Sequence, residues 1–462
     1  MTLTRFRYAA IPLLLTLCGC QAVKDARDAQ SASDRLPGET TITAAQAGLL
    51  GPQAYALTNL EQIALSAHPS VLQARQSVES ARLQCRITHA GRLPQVSASG
   101  GYNRSTQNSG RNTSTAMSGS WSGSIGLDLL LYDFGRLEAQ ERQALETLVS
   151  AEEQLRATEL DVVYDVRSAF FELHRSAELY RVALETEKQY GEHLEEARVM
   201  VEIGTRRRYD ATKAEVDWGN AALDVITVSN ALVSARAQLN RTLGLAEYPS
   251  YAVLPDLMPP RTDLSVSNLM EQARQNDPSL AVLHAKARAA SAYVDQTIAD
   301  LYPSLSLGAD LSESGRDFPM TWNFSWALRA TQNLFDGHKK TDRIRAAVTD
   351  LRSARARVAD AEQELFLNLV NAVAQFKSAR KRREIAELVE RQAAENRDIV
   401  NEQYRVGVSS AIERTDAQVA VTQSQADAVR ARYDEQAAEA RLARLTGAPV
   451  GAEATPPPAA AP

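Results

Sequence analysis

The sequence predicts an α+β membrane protein, with four β-strands and several very long helices per chain laid out as one unit written twice. Three observations predict it. Matched segments recur at fixed offsets, four stretches alternate apolar and polar residues, and two long stretches are almost free of helix breakers. The strands are too few to close a barrel alone, and open strand edges are not tolerated in lipid, so several chains must share one barrel.

The chain begins with an address rather than with the fold. Arg5 and Arg7, the apolar run Tyr8 to Leu17 and the closing Leu17-Cys18-Gly19-Cys20 read as a lipoprotein signal over residues 1–19, with Cys20 as the acylated first residue of the mature chain. The ending resembles the lipobox, and that resemblance implies that Gln21 in second place favours sorting to the outer membrane, with a lipid-anchored linker over 20–56. An ordinary secretory signal with an incidental Cys20 is the alternative. With Cys18 removed and Cys20 acylated, Cys85 is the one thiol left, which excludes an intrachain disulfide. The six histidines are scattered without ligand spacing, so no metal or cofactor is expected. The formal charge is -6, and loss of Arg5 and Arg7 makes it about -8, which argues against a nucleic-acid partner.

The first repeat runs over 57–245 and the second over 264–447, with an equatorial linker over 246–263. Pro69 and Pro278, and Pro94 and Pro303, are separated by 209 residues, whereas Asp133 and Asp336, Gly204 and Gly407, and Gly244 and Gly447 are separated by 203. A loop six residues shorter in the second copy accounts for the change of register. Each repeat opens with a helical stretch, Leu57 to Ala90 or Leu264 to Leu301. The strand stretches follow, at Val96 to Tyr102, Trp121 to Leu131, Ser304 to Leu311 and Trp322 to Thr331. Trp121, Ile125, Leu127 and Leu129 share one face, and Trp322, Phe324, Trp326 and Leu328 another, with Leu130 breaking the alternation. Polar loops such as Asn103 to Ser118 join them. Strand length and tryptophan content suit a transmembrane barrel, and three chains would give twelve strands.

The long helices come next. Arg136 to Ile203 and His338 to Val406 would each span on the order of 100 Å as continuous helices. Each ends at a glycine, Gly204 or Gly407, and shorter arms return over Arg206 to Leu243 and Ser409 to Thr446. Such helices need a buried seam against neighbours. The tail over 448–462 is rich in alanine and proline and is expected to be disordered.

The sequence resembles the TolC family of outer-membrane efflux proteins over nearly the whole mature chain. The resemblance is carried by the strand-to-helix turns, Leu131 to Arg136 with Asp133 and Gly135 and Leu334 to Gly337 with Asp336 and Gly337. It is carried equally by the tips Val201 to Arg206 and Tyr404 to Ser409. It implies a homotrimer with a shared 12-stranded barrel continuous with a periplasmic α-helical barrel. It also implies that the tips, with Ile203, Gly204, Thr205, Val406, Gly407 and Val408, dock a periplasmic adaptor protein. That adaptor would link the duct to an inner-membrane pump of the resistance-nodulation-division or ABC type. The family's acidic constriction falls here on Glu413 and Asp416. Two acids three residues apart share a helix face, and threefold symmetry would crowd six carboxylates and raise their pKa values. The first copy departs, with Asp210 and Lys213 at those positions.

The implied function is passive conduction of drugs or metal ions from periplasm to exterior by a lipid-anchored outer-membrane channel. The alternatives are a type I protein secretion duct, which the Tyr132-Asp133-Phe134-Gly135 turn resembles, and a non-conducting periplasmic coiled coil. An enzyme is not expected, because Asp133-Phe134-Gly135 lacks every companion motif of a kinase and no nucleophile and base pair is present.

Overall fold

The computed structural model describes residues 23–24, 26–27, 54–108, 115–245, 249, 251–258 and 264–447. The expectations for the signal, Cys20, most of the linker over 20–56 and the tail over 448–462 lie outside the described residues.

In chain order the elements are β1 (Ala54–Tyr55), α1 (Leu57–Ala67), α2 (Pro69–Ala90), β2 (Gln95–Asn108), β3 (Thr115–Tyr132), α3 (Arg136–Glu202) and α4 (Arg208–Thr242). They continue with β4 (Ala252–Val253), α5 (Val266–Asn276), α6 (Pro278–Ala299), β5 (Ser304–Gly315), β6 (Thr321–Thr331), α7 (Lys339–Arg405) and α8 (Ala411–Leu445). The duplication is complete to the residue in its helices. α3 and α7 both have 67 residues, and α4 and α8 both have 35. No described helix is long and apolar enough to cross a membrane.

Two expectations are corrected at the start of each repeat and in its strands. Leu57 to Ala90 and Leu264 to Leu301 are not single helices. Each breaks before a proline, because the proline ring disfavours the α conformation of the preceding residue. His68 and Asp277 are held extended there, and each then caps the next helix: Ser70 N–H donates to His68 Nδ1 at 3.2 Å and Ser279 N–H to Asp277 Oδ1 at 2.9 Å. The register change is not confined to a loop either. β2 and β3 have 14 and 18 residues where β5 and β6 have 12 and 11, so most of Asn103 to Ser118 is strand.

The four long strands form one antiparallel sheet in the order β2-β3-β5-β6, so the central pair joins the two copies. One face carries Leu127 opposite Ala309, Leu307 opposite Leu328 and Leu311 opposite Phe324. The other is small and polar: Ser99 opposite Ser124, Gly126 opposite Asp310 and Ser312 opposite Asn323. Leu130 stays in register opposite Ser306 on the polar face, and the strand becomes irregular just after it. The pairing slips between Leu130 and Tyr132, leaving Leu131 as the extra residue of a bulge.

The apolar core sits at mid-height, again twice. Leu60, Val166, Phe170 and Leu239 anchor the first cluster, and Leu269, Leu369, Val373 and Leu442 the second, at matching positions of the repeat. Beside the first, β1 and β4 form a two-stranded parallel pair that joins both linkers, a feature absent from the sequence reading. Tyr251 locks it, packing edge-on to Tyr55 at 6.2 Å and donating its hydroxyl to Asn240 Oδ1 at 2.6 Å.

Candidate functional site

Three places carry the sequence-predicted residues: the turns from sheet to long helix, the helix tips, and the first turns of α8. At the upper turns, Asp133 Oδ2 accepts from Leu137 N–H at 2.8 Å and Asp336 Oδ2 from Lys340 N–H at 3.1 Å, so both aspartates satisfy an orphan amide at a helix start. The glycines beside them are not equivalent. Both turns hold two successive residues at positive φ, Phe134 (55°) and Gly135 (85°) in the first copy and Gly337 (68°) and His338 (68°) in the second. Gly135 therefore matches His338, and Phe134 matches Gly337. One glycine eases each turn, but it occupies a different half of it. Phe134 stacks on Tyr302 at 5.3 Å and meets Tyr132 at 4.8 Å, which gathers aromatic rings at the base of the sheet.

The two tips repeat one hydrogen-bond pattern. Gly204 at φ 83° and Gly407 at φ 81° follow α3 and α7, and the next two amides fold back onto one carbonyl. Thr205 and Arg206 N–H donate to Met200 O at 3.0 and 3.2 Å, and Val408 and Ser409 N–H to Gln403 O at 2.9 and 3.2 Å. Nothing lies within 4 Å of a Cβ built on either glycine, so the left-handed backbone, not crowding, is what requires it. Ile203, Val406 and Val408 are 71%, 67% and 77% exposed, which leaves apolar side chains in solvent at the ends of both hairpins.

Glu413 and Asp416 are both exposed on α8. Glu413 is engaged locally. Its Oε2 accepts from the Ser409 hydroxyl at 2.6 Å and from Ser410 N–H at 2.7 Å, while Ser410 Oγ accepts from Glu413 N–H at 3.2 Å, a complete capping box. The Ser409 hydroxyl first, and then the Ser410 amide, hold its carboxyl below the usual range. Within one chain the shift thus runs opposite to the one that carboxylate crowding would give. The matching first-copy helix α4 follows Arg207 at the N-cap position, with no side-chain cap.

A cluster that sequence reasoning missed ties the two hairpins together just above these acids. Tyr404 is buried, with the guanidinium groups of Arg206 and Arg414 each 4.7 Å from its ring centre. Arg414 also donates to Glu196 at 2.7 Å and to Asn401 at 3.1 Å. Burial, and then the charge of Arg414, push His193 on the facing helix down to about 4. The one available signal was an aromatic at Tyr404 where the first tip has Val201. Among the described residues, no group of three or more His, Cys, Asp or Glu is placed to hold a metal.

Comparison with known proteins places these features in a family. The model for outer membrane efflux proteins matches residues 60–245 and 269–448. The toluene efflux pump outer membrane protein TtgC of Pseudomonas putida is 25% identical over 265 residues, 57% of this chain and 55% of that protein. The "Probable outer membrane lipoprotein SilC" of Salmonella typhimurium is 24% identical over 277 residues, 56% of this chain and 58% of that protein. Each match thus spans little more than half of the relative's length. Among solved structures, CusC superposes with a TM-score of 0.75 at 20% identity, over 85% of this chain and 92% of that one. That likeness carries the fold. The named relatives are outer-membrane proteins and not enzymes.

Proposed function

The chain belongs to the outer membrane efflux protein family, and from that premise we propose that it is the passive outer-membrane channel subunit of a tripartite export system. One observation carries the reading: a four-stranded sheet with one apolar and one small polar face, and with β2 and β6 as open edges, runs directly into helices of 67 residues. Open edges cannot persist in lipid, so the sheet must continue into other copies; three copies close it at twelve strands. The apolar face then meets lipid and the serine-rich face lines the pore. The aromatic rings of Phe134, Tyr132 and Tyr302 suit the lower membrane interface.

The remaining parts follow from that placement. Cys20 carries the acyl anchor. The exposed apolar tips around Ile203 and Gly204 and around Val406 and Gly407 dock a periplasmic adaptor, which couples the duct to an inner-membrane pump. Glu413 and Asp416 narrow the periplasmic entrance. Small-molecule cargo is favoured over secreted protein by the efflux of toluene in the name of TtgC.

The test is reconstitution. Detergent-purified protein should have trimeric mass, carry acyl label that Cys20→Ser removes, and release a small trapped dye from liposomes. A monomer that stays soluble without detergent and leaves the liposomes sealed would overturn the reading.

A further inference from the structure

The internal repeat also dictates how one copy meets the next, once several copies share the duct proposed above. In the lower half of the chain, α3 packs on α4 and on α8, and α8 packs on α7, so α4 and α7 are the two ends of a four-helix layer. α4 is the same helix as α8 at an offset of 203, and α7 the same as α3. The face of α3 that α8 covers is therefore written again on α7, and the covering face of α8 again on α4. Within one chain these two second versions stand at opposite ends of the layer and are not packed on each other.

We propose that α4 of one copy packs on α7 of the next in the register in which α8 packs on α3 inside the chain, with Arg241 paired to Glu364 across the boundary.

The apolar residues support it position by position. On α3, Thr186 bonds to Thr422 of α8 at 3.2 Å and Glu196 to Arg414 at 2.7 Å. Their counterparts on α7 are Val389 and Ile399, 49% and 51% exposed, with Ile385 (51%) on the same stripe. On α8, Val429 is 7% exposed in the core, whereas its counterpart Ile226 on α4 is 59% exposed. At the Thr186 and Glu196 positions a polar residue inside the chain is replaced by an apolar one between chains, and Val389, Ile399, Ile385 and Ile226 are bare in a single copy.

The charges support it independently. Arg444 of α8 is ion-paired to Asp161 of α3. Shifted by 203, this pair becomes Arg241 on α4 and Glu364 on α7, opposite in sign and both exposed. Among the described residues, no ion pair within the chain takes up either. The upper half is different. The contacts Arg142 to Asp295 and Arg288 to Glu146 join α3 to α6, and they would map onto Arg345 facing Arg86 and Thr349 facing Glu79. Two like charges do not reproduce an ion pair, so the copied register belongs to the lower layer alone.

Cysteine cross-linking tests this in the membrane-embedded full chain. In a Cys85→Ser background, Arg241→Cys with Glu364→Cys should give dimers and trimers on denaturing gels with a short bis-maleimide. Each single variant should stay monomeric, as should Arg241→Cys with the distant Glu395→Cys. Asp161→Cys with Arg444→Cys should react within one chain, a control for the chemistry. Without cysteines, Arg241→Glu should lower the trimer fraction in detergent and Glu364→Arg added to it should restore it. A trimeric wild type whose 241/364 pair gives only monomer, and whose charge reversal is not rescued, would overturn the register and leave the duct standing. A monomeric wild type would remove the assembly itself.

Discussion

The hairpin α3–α4 and the hairpin α7–α8 have the same two lengths and the same left-handed glycine at the tip, yet the side chains that hold them differ. The first enters its return helix at Arg207 with no side-chain cap, and the second at Ser410 through a capping box. Toward the tips the contact of α3 with α8 includes the polar pairs Gln189 to Gln418 and Glu196 to Arg414, and the second pair is replaced at the matching positions by the apolar Ile399 on α7 and Ala211 on α4. The comparison teaches that helix length and turn geometry are shared properties of the repeat, because both hairpins must span the same height. Surface chemistry is free to diverge with what each helix touches.

Substitutions in the two copies sharpen that comparison. The largest effect is expected in the two cores. Phe170→Ala should cost about 3–5 kcal/mol, and Phe376→Ala toward the low end of that range, because the first cluster is the larger. Thermal unfolding of the detergent-solubilised protein reads both, and a greater loss at Phe376 would reverse the ranking of the cores.

Next come the glycines. Gly407→Ala meets open space and should cost about 1–2 kcal/mol for the left-handed backbone alone. At Gly447 a Cβ would lie 2.5 Å from the carbonyl oxygen of Asn276, so Gly447→Ala should cost more than Gly407→Ala. Equal melting temperatures for the two variants would show that the contact of Gly447 with Asn276 yields freely. A smaller effect is expected at the caps. Ser410→Ala should cost about 0.5–2 kcal/mol and speed amide exchange in the first turn of α8, whereas Arg207→Ala should leave α4 unchanged.

A further effect is one of pH. His193 is pushed from 6.5 down to about 4 in the fold, so its contribution is fully present above about 6.5. It is lost as pH falls toward about 4, because the unfolded chain takes up the proton first. The melting temperature of His193→Gln should therefore fall less than that of the wild type between pH 6.5 and 4. Parallel curves would remove this assignment.

Much of the architecture is legible in the residues, for reasons that are local. Helix ends at Gly204 and Gly407 are written by one residue type, and the strand faces by a period of two. The breaks at Pro69 and Pro278 are equally local, but a strong helical pattern on both sides conceals them until the extended residue before each proline is considered. The turn glycines mislead because two successive left-handed positions need only one glycine, and Asp133-Phe134-Gly135 and Asp336-Gly337-His338 place it differently. The cluster around Tyr404 is not legible at all. Its members come from α3, α7, α8 and the first tip, so that only the packing of two hairpins brings Glu196 to Arg414. The same holds for the paired strands β1 and β4, two residues each.

The central claim is that the polar face of the sheet and the long helices enclose a conducting path. Single-channel recording of the detergent-purified trimer in planar bilayers tests it most directly. Discrete cation-selective openings are predicted, with conductance raised and block by multivalent cations weakened when Glu413 and Asp416 are both replaced by alanine. A well-formed trimer that inserts and passes no current, in the wild type and in that variant alike, would contradict it.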